Sequence, residues 1–120
     1  MNPKIDATTF GTITIAGECF NHDVVIQLDG SVRKRKKKLS KLEFGTSHVV
    51  SLAEAQDVYE EGARLLIVGT GQEGMVHLSH EAAAFLKEVH CAVELHPTPE
   101  ALQAWNQSEK PAIGLFHVTC

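Results

Sequence analysis

A glycine-rich turn offers the first residues suited to chemistry. Gly69-Thr-Gly-Gln-Glu-Gly74 follows the apolar segment Arg64–Val68 and spaces three glycines as in a dinucleotide-binding fingerprint. In that fingerprint the last glycine opens a helix, whose amides meet the pyrophosphate. Here residues 75–78 intervene before Ser79, the first helix-capping residue, which disfavours a dinucleotide. Two interpretations stay open: turn amides that bind a small ligand or anion, and a turn that only requires positive φ.

A histidine close to the last residue of the sequence is the second candidate. Val118, Thr119 and Cys120 follow His117 and bring an imidazole, a hydroxyl and a thiol together. On a strand His117 and Thr119 point to one face and Cys120 to the other, so a Cys–His nucleophile pair would need a bend. Hydrogen bonding and packing are the simpler interpretation. The candidate ligand-binding residues are Gly69, Thr70, Gly71, Gly74, His117 and Thr119.

No motif indicates an enzyme. The sequence contains no GxSxG, HExxH, P-loop or CxxC, and the 7 histidines lack acidic neighbours at metal-ligand spacing. We therefore expect no catalytic constellation, no metal and no cofactor. Cys19, Cys91 and Cys120 are odd in number and widely spaced, which predicts reduced thiols.

A basic segment stands out against an acidic remainder. Residues 1–41 carry a net charge of +4 and residues 42–120 a net charge of −8. The basic surface consists of Arg33, Lys34, Arg35, Lys36, Lys37, Lys38 and Lys41. Continuous charge predicts an edge strand that resists pairing with other chains. A surface for anions or nucleic acid is an alternative, although no aromatic residue interrupts the run to stack on bases; contact with a membrane surface is a third.

The elements that would position these residues differ between the two halves. Residues 64–120 alternate strand, helix, strand, helix and strand, which predicts parallel strands. Ser79 caps one helix, with a buried stripe of Ala82, Phe85, Leu86 and Val89, and Thr98 caps the next ahead of a strand at 112–118.

The first half predicts antiparallel β-structure. Strands are expected at 12–16, around 19–20 and at 24–28, with Asp29-Gly30 as a type I′ hairpin turn. Residues 2–9 are expected to form a loose lead-in. Residues 39–50 are expected to be mainly loop, with a short strand at 48–50. Ser51 and Glu54 form a capping box for a helix to about Glu61. The prediction is an α/β, three-layer single domain over 1–120, with a mixed sheet, packed helices and an appended N-terminal hairpin or small sheet.

The length and hydropathy are those of one globular domain. At 120 residues the chain has the size of a typical domain. No apolar run approaches the roughly 18 residues that a membrane-spanning helix needs. The first ten residues have neither the apolar centre of a signal peptide nor the arginines of a transit peptide, so we expect a cytoplasmic protein without membrane insertion.

Motifs spread along the chain resemble a known family. They are Phe10-Gly11, Asp23-Val24, the basic strand with Arg33 or Arg35, Leu66-Ile-Val-Gly-Thr-Gly71, Thr98-x-x-Ala101-x-x-x-Trp105-Asn106 and Gly114-Leu-Phe-His-x-Thr-Cys120. Together they are similar to the Mth-type domain family of unknown function, whose members include the adipogenesis-associated Mth-domain-containing protein of mammals and a mitochondrial assembly factor of respiratory complex I. The resemblance implies a three-layer α/β domain with no established activity. It also implies a recurring surface at Gly69, Thr70, Gly71, His117, Thr119 and Cys120.

The first functional hypothesis is a non-catalytic protein-interaction or assembly-type factor with an unidentified protein partner. The alternatives are a small-ligand or anion-binding domain that uses the Gly69–Gly74 turn, and nucleic-acid binding through Arg33–Lys41, which is the less expected. The chain is expected to be a monomer or a weak homodimer.

Overall fold

A five-stranded mixed sheet lies at the centre of the computed structural model, which describes residues 2–120. The strands are β1 (Ile5–Thr9), β2 (Thr12–Ile15), β3 (Glu18–Phe20), β4 (Val24–Ile26), β5 (Val32–Lys34), β6 (Val49–Val50), β7 (Leu65–Thr70), β8 (His77–Leu78), β9 (Ala92–His96) and β10 (Ala112–His117). The helices are α1 (Lys38–Phe44), α2 (Leu52–Val58), α3 (His80–Glu88) and α4 (Thr98–Gln107).

The central sheet has the order β5-β4-β10-β7-β9. Strand β7 is parallel to both β9 and β10, as predicted, while β4 runs antiparallel to β10 and β5 antiparallel to β4. All six residues of β7 are buried, because this strand has a neighbour on each side and a layer on each face. The predicted mixed sheet is confirmed.

The side chains of β7 alternate between two cores. Leu66 and Val68 face a core shared with α2 and α3. Leu65 and Ile67 face a second core that includes Trp105 of α4 and residues of the N-terminal sheet. Burial of each face against a different layer gives the three-layer arrangement.

The N-terminal strands form a separate antiparallel sheet in the order β1-β2-β3. This corrects the expectation of a loose lead-in at 2–9. Ile5 is fully buried and pairs with Ile15, and the Asn106 side chain hydrogen-bonds to both the amide and the carbonyl of Ile5, each at 2.9 Å. The segment was missed because its other residues are half-buried or exposed, so it shows little hydrophobic alternation.

Two loops in the first half differ from expectation. The β4–β5 hairpin closes between Gln27 and Ser31, and only Gly30 adopts positive φ in the turn. It is therefore a three-residue loop with glycine in the left-handed position, rather than a type I′ turn, which needs two positive φ values. Residues 38–44 form α1 where a loop was expected, and this helix ends at Gly45 with φ +71°.

Two helix ends were also misplaced. Helix α2 ends at Val58, three residues before the expected Glu61, because Tyr59 is extended. Helix α4 starts after Pro97 without a side-chain cap, so Thr98 does not cap it. The Thr98 hydroxyl is used in the candidate site instead. The cap at Ser79 is confirmed, since its hydroxyl accepts from the Ala82 amide at 3.0 Å.

Candidate functional site

Five strand ends meet at one edge of the central sheet. The carboxyl ends of β7, β9 and β10 lie there because these strands are parallel, and β4 begins and β5 ends there because they alternate in direction. Phe116 is paired with Val24, which is paired with Lys34. Asp23 and Arg35 are thus each one residue beyond this register, next to His117. Open α/β sheets commonly bind ligands at this edge.

Asp23 and His117 form a buried pair. His117 Nδ1 lies 2.7 Å from Asp23 Oδ2, and the Val118 amide donates to Asp23 Oδ1 at 2.9 Å. Burial acts to raise the pKa of Asp23. The hydrogen bonds from His117 and Val118 and the charges of His117 and Arg35 outweigh burial, so the pKa falls to about 2. An ionised carboxylate only accepts hydrogen bonds, and His117 Nδ1 therefore carries the proton between them.

Arg35 joins this pair to a second carboxylate. Its Nη1 donates to Asp23 Oδ2 at 3.0 Å, while Nε and Nη2 donate to the two oxygens of Glu54 at 2.5 and 3.0 Å. Burial acts to lower the pKa of Arg35, but the hydrogen bonds and charges of Glu54 and Asp23 raise it further above its ordinary value. Arg35 is only 4% exposed. Its assignment to the basic surface is therefore corrected: two carboxylates hold it inside the domain.

Glu54 completes the buried cluster on α2. The Ser51 hydroxyl accepts from the Glu54 amide at 3.1 Å, which confirms one half of the predicted capping box. The Glu54 carboxylate does not return to Ser51, because it is taken by Arg35 and by the Ser40 hydroxyl at 2.5 Å. Ser40 Oγ in turn accepts from the Ser51 amide at 3.0 Å. We call Asp23, Arg35, Glu54 and His117 the buried charge cluster.

The far side of His117 approaches the candidate ligand-binding residues. Its Nε2 lies 3.2 Å from the Thr119 hydroxyl, and its ring packs edge-on against His48 at a centroid distance of 5.4 Å. His117 and Thr119 thus share a face, as predicted. Asp23, His117 and Thr119 follow the order carboxylate, imidazole, hydroxyl that hydrolytic triads use, but His117 is only 3% exposed.

The glycine turn lies beside this chain of hydrogen bonds and holds the last residues of the sequence. The amides of Glu73 and Met75 donate to the Cys120 oxygen at 3.3 and 3.1 Å, and the Gln72 amide donates to the Thr119 oxygen at 2.6 Å. The Gly71 amide donates to the Thr98 hydroxyl, which donates to the His117 carbonyl at 2.6 Å.

The remaining amides of the turn are also bonded within the chain. Gly74 N donates to the Gly71 carbonyl and Val76 N to the Thr70 carbonyl. Every amide from residue 71 to 76 thus has an internal acceptor. A ligand at this turn would have to use side chains or displace residues 119 and 120.

Gly71 is the glycine that this arrangement requires. Its φ is +106°, and a Cβ atom there would clash with the Cys120 backbone and lie 2.9 Å from the His117 ring. This close approach explains Gly71 without a nucleotide. Gly69 is required as well, because a Cβ atom there would lie 2.8 Å from the Phe116 ring and 2.9 Å from the Thr98 hydroxyl. The predicted residues Gly69, Thr70, Gly71, His117 and Thr119 come together, and Gly74 (φ +70°) lies at the outer end of the turn.

Sequence reasoning missed three members of this site. Asp23 and Glu54 were not predicted as site residues, and Thr98 was assigned as a helix cap. Asp23 had two available signals: it is a lone carboxylate directly before the apolar run Val24–Ile26, and it belongs to the Asp23-Val24 motif of the family resemblance. Partners so far apart in sequence, 94 residues for Asp23 and His117, leave no local pattern.

The basic segment divides between interior and surface. Arg33 pairs with Asp57 at 2.8 Å, and Lys36 lies 3.5 Å from the same carboxylate. The exposed lysines are Lys34, Lys36, Lys37, Lys38 and Lys41. On the same helix α1, Leu42 is 80% exposed and Phe44 39% exposed. Residues 34–44 therefore carry five exposed lysines and two exposed apolar side chains.

Within residues 2–120, no three His, Cys, Asp or Glu side chains are grouped as a metal site requires. None of the helices in this range is long and apolar enough to cross a bilayer.

Comparison with known proteins gives one family and several similar structures. The family model described as "Protein of unknown function (DUF498/DUF598)" matches residues 5–110. The conserved hypothetical protein PH1505 from Pyrococcus horikoshii OT3 is 35% identical, with a TM-score of 0.91, over 98% of this chain and 99% of its own. MT938 is 29% identical, with a TM-score of 0.83, over 99% and 100% of the two chains.

A more distant structure supports the fold alone. A protein from Bordetella pertussis, described as a Mth938-like domain, is 15% identical with a TM-score of 0.67, over 97% of this chain and 85% of its own.

Proposed function

Because the chain belongs to the Mth-type domain family of unknown function (DUF498/DUF598), we propose a function from its own surface: it is a non-catalytic domain of the assembly type that binds a partner protein. The binding surface, here called the α1 surface, consists of Lys34, Lys36, Lys37, Lys38, Lys41, Leu42 and Phe44. The exposure of Leu42 beside these lysines carries the proposal.

The composition of the α1 surface favours a protein with acidic and apolar side chains. Lys38 and Leu42 are four residues apart on α1 and lie on one side of the helix. Burying Leu42 would gain roughly 1.5–3 kcal/mol, and the lysines would match carboxylates at the rim. Nucleic acid would use the lysines but would leave Leu42 uncovered.

The buried charge cluster supports a structural role more than a catalytic one. A catalytic base must come within hydrogen-bond reach of its substrate, whereas both ring nitrogens of His117 are already near partners, Asp23 and Thr119. The amides that could stabilise an oxyanion at the turn are bonded within the chain.

The test is comparative affinity capture from nuclease-treated cell extract. One variant combines Leu42→Ser with Phe44→Ser, and another combines Lys38→Glu with Lys41→Glu. The matched controls change exposed residues elsewhere, Met75→Ser and Lys4→Glu. We expect a protein that the wild type and both controls retain and that both α1 variants lose. When this partner is purified and titrated, both α1 variants should bind it more weakly than the wild type and the controls do. Equal capture by all five proteins would contradict the proposal.

Nucleic-acid binding is tested separately with a labelled oligonucleotide. Each lysine–phosphate contact contributes about −0.9 to the slope of log affinity against log salt for duplex DNA. Tight binding with a steep slope, lost in the Lys38→Glu, Lys41→Glu variant and unaffected by Leu42→Ser, would replace the protein partner with nucleic acid.

A second candidate function is binding of a small ligand or anion at Gly69, Thr70, Gly71, Gly74, His117 and Thr119. The observation that favours it is the chain of hydrogen bonds from Asp23 through His117 to the half-buried Thr119 hydroxyl. A thermal-shift series with phosphate, sulfate and small carboxylates tests it on the wild type and on Thr119→Val. A ligand at about 100 times its dissociation constant adds roughly 2.7 kcal/mol. A shift absent from Thr119→Val supports this function, and no shift with any compound counts against it.

The proposal includes a cytoplasmic location. Cys19, Cys91 and Cys120 are all unpaired, which suits a reducing compartment. Fractionation of cells that produce the full-length protein tests this, and recovery in an oxidising compartment would contradict it.

A further inference from the structure

The two outer strands of the central sheet are protected to different extents. Strand β5 has three residues, carries Lys34, and is followed by Arg35, whose side chain is buried against Asp23 and Glu54. Short length and lysine are usual protections of an edge strand against pairing. Strand β9 has five residues, Ala92–His96, with no lysine and no proline. Its Leu95 is 46% exposed.

The outer side of β9 presents unpaired backbone groups. The Ala92 amide donates to the Arg64 carbonyl at 3.0 Å, and in a parallel ladder alternate residues bond to the same neighbour. Ala92, Glu94 and His96 therefore face β7, whereas Val93 and Leu95 direct their N–H and C=O groups away from it. Within residues 2–120, β7 is the only strand paired with β9.

Grooves leave space for another strand on both sides of β9. One groove of about 640 Å³ lies between β9 and α3 and is lined by Val93, Leu95 and Lys87. The second, of about 700 Å³, lies on the α4 side and is lined by Glu94, His96 and Glu100. An added strand would cover Val93 and Leu95 on the first side.

We propose that the β9 edge pairs antiparallel with β9 of a second copy of this chain, about a twofold axis at Leu95. In this register the two Leu95 residues face each other and exchange backbone hydrogen bonds. Each Glu94 then lies opposite His96 of the other copy, two residues whose side chains already lie 3.2 Å apart within one chain. Such an interface is closed and symmetric.

The charge of Glu94 favours the register with the twofold axis at Leu95 over the register with the axis at Val93. A twofold axis at Val93 would place Glu94 opposite Ala92, which offers its carboxylate no polar partner across the interface, whereas the two Glu94 carboxylates are diagonal neighbours in either register. The axis at Leu95 instead makes two cross-strand Glu94–His96 contacts. Pro97 follows directly and has no amide to donate, so the ladder is short. We expect a weak dimer, with a dissociation constant on the order of micromolar.

Sedimentation equilibrium of the full chain tests the association. Leu95→Lys places two ammonium groups together at the axis and should weaken dimerisation roughly tenfold or more. Leu42→Lys is the matched control, because it makes the same change at an exposed leucine outside β9 and should leave the dimer unchanged. A wild type that stays monomeric up to about 1 mM, or a dimer that Leu95→Lys does not weaken, would overturn the proposal.

Charge exchange and crosslinking test the register. Glu94→Lys should weaken the dimer, and Glu94→Lys combined with His96→Glu should restore it. In a Cys19→Ser, Cys120→Ser background, Leu95→Cys should form a disulfide-linked dimer under mild oxidation, since facing residues have Cα atoms about 5.5 Å apart. Val93→Cys should not, because its copies would lie about 14 Å apart. Crosslinking at Val93 but not at Leu95 would exclude this register.

Discussion

At the scale of single residues, Arg35 shows how strongly a buried charge depends on its partners. It lies two positions from Arg33, yet it contacts Asp23 and Glu54 inside the domain while Arg33 contacts Asp57 near the surface. Removing one partner of a buried ion pair leaves an uncompensated charge, whereas a partly exposed pair is screened by water. The two arginines should therefore differ greatly in their contribution to stability.

Arg35→Ala is expected to lower the free energy of unfolding by about 3–5 kcal/mol, because Asp23 and Glu54 would lose their shared cation. Arg33→Ala, the matched control, should change it by less than about 1 kcal/mol. Urea denaturation of both variants measures the difference. Similar losses for the two variants would show that the buried charge cluster does not stabilise the fold as inferred.

The lowered pKa of Asp23 predicts that the free energy of unfolding decreases at low pH. Its folded pKa of about 2 lies below the ordinary 3.8. The stabilisation is therefore complete above about pH 4 and is lost as the pH falls through 2, a change of about 2 kcal/mol. Carbon-13 titration of the carboxyl groups by NMR should give a midpoint near 2 for Asp23, and Asp23→Asn should lose less stability between pH 5 and pH 2 than the wild type. A midpoint near 4 would contradict the prediction.

At the scale of elements, the Gly69–Gly74 turn lies at the carboxyl end of β7 and is hydrogen-bonded to the residues that follow β10. The Thr98 hydroxyl bridges the Gly71 amide and the His117 carbonyl, and the turn amides hold the oxygens of residues 119 and 120. The glycine pattern therefore serves a close approach of two backbone segments. The same contacts fix the position of Thr119 next to His117.

Gly71→Ala is expected to lower the free energy of unfolding by about 2–5 kcal/mol, because it combines positive φ with a clash against the Cys120 backbone. Gly45→Ala is the matched control: Gly45 has φ +71° but no atom within 4 Å of the added Cβ, so only the conformational cost of about 1–2 kcal/mol applies. Thermal and urea unfolding measure both. Equal losses would mean that residue 120 moves aside without cost.

Most helices were easier to predict than the candidate site, which lies where the strands of the central sheet end. The caps at Ser51 and Ser79 and the stripe on α3 depend on neighbours within a few positions, and the structure confirms them. Strand β1 and helix α1 were missed because each buries only one residue, Ile5 in β1 and Ser40 in α1. In both segments, tertiary contacts outweigh a weak local pattern.

At the scale of the whole molecule, the α1 surface and the β9 edge are separate. Helix α1 follows β5, and three strands lie between β5 and β9, a separation of about 19 Å across the sheet. A dimer formed through β9 would thus leave both α1 surfaces free. A dimer that carries two copies of a weak binding site can bind an immobilised partner more tightly than a monomer with one copy.

Leu95→Lys should therefore leave the affinity of one α1 surface for a soluble partner unchanged, within about twofold. The same substitution should accelerate dissociation of the protein from a sensor chip that is densely coated with that partner. Calorimetry measures the first quantity and surface-based dissociation the second. A large loss of affinity in solution would show that the two surfaces are coupled.

The sequence alone determined the α/β class, the order of most elements, the parallel second half and the resemblance that the family match confirms. These follow from periodicity, caps and turns, which depend on residues close together in the chain. Only the tertiary structure decided that Arg35 leaves the basic segment for the interior and that Asp23, Glu54 and His117 surround it. The physical reason is that hydrogen-bond partners and burial depend on strand order and register, which bring segments as far apart as 94 residues to one edge of the sheet.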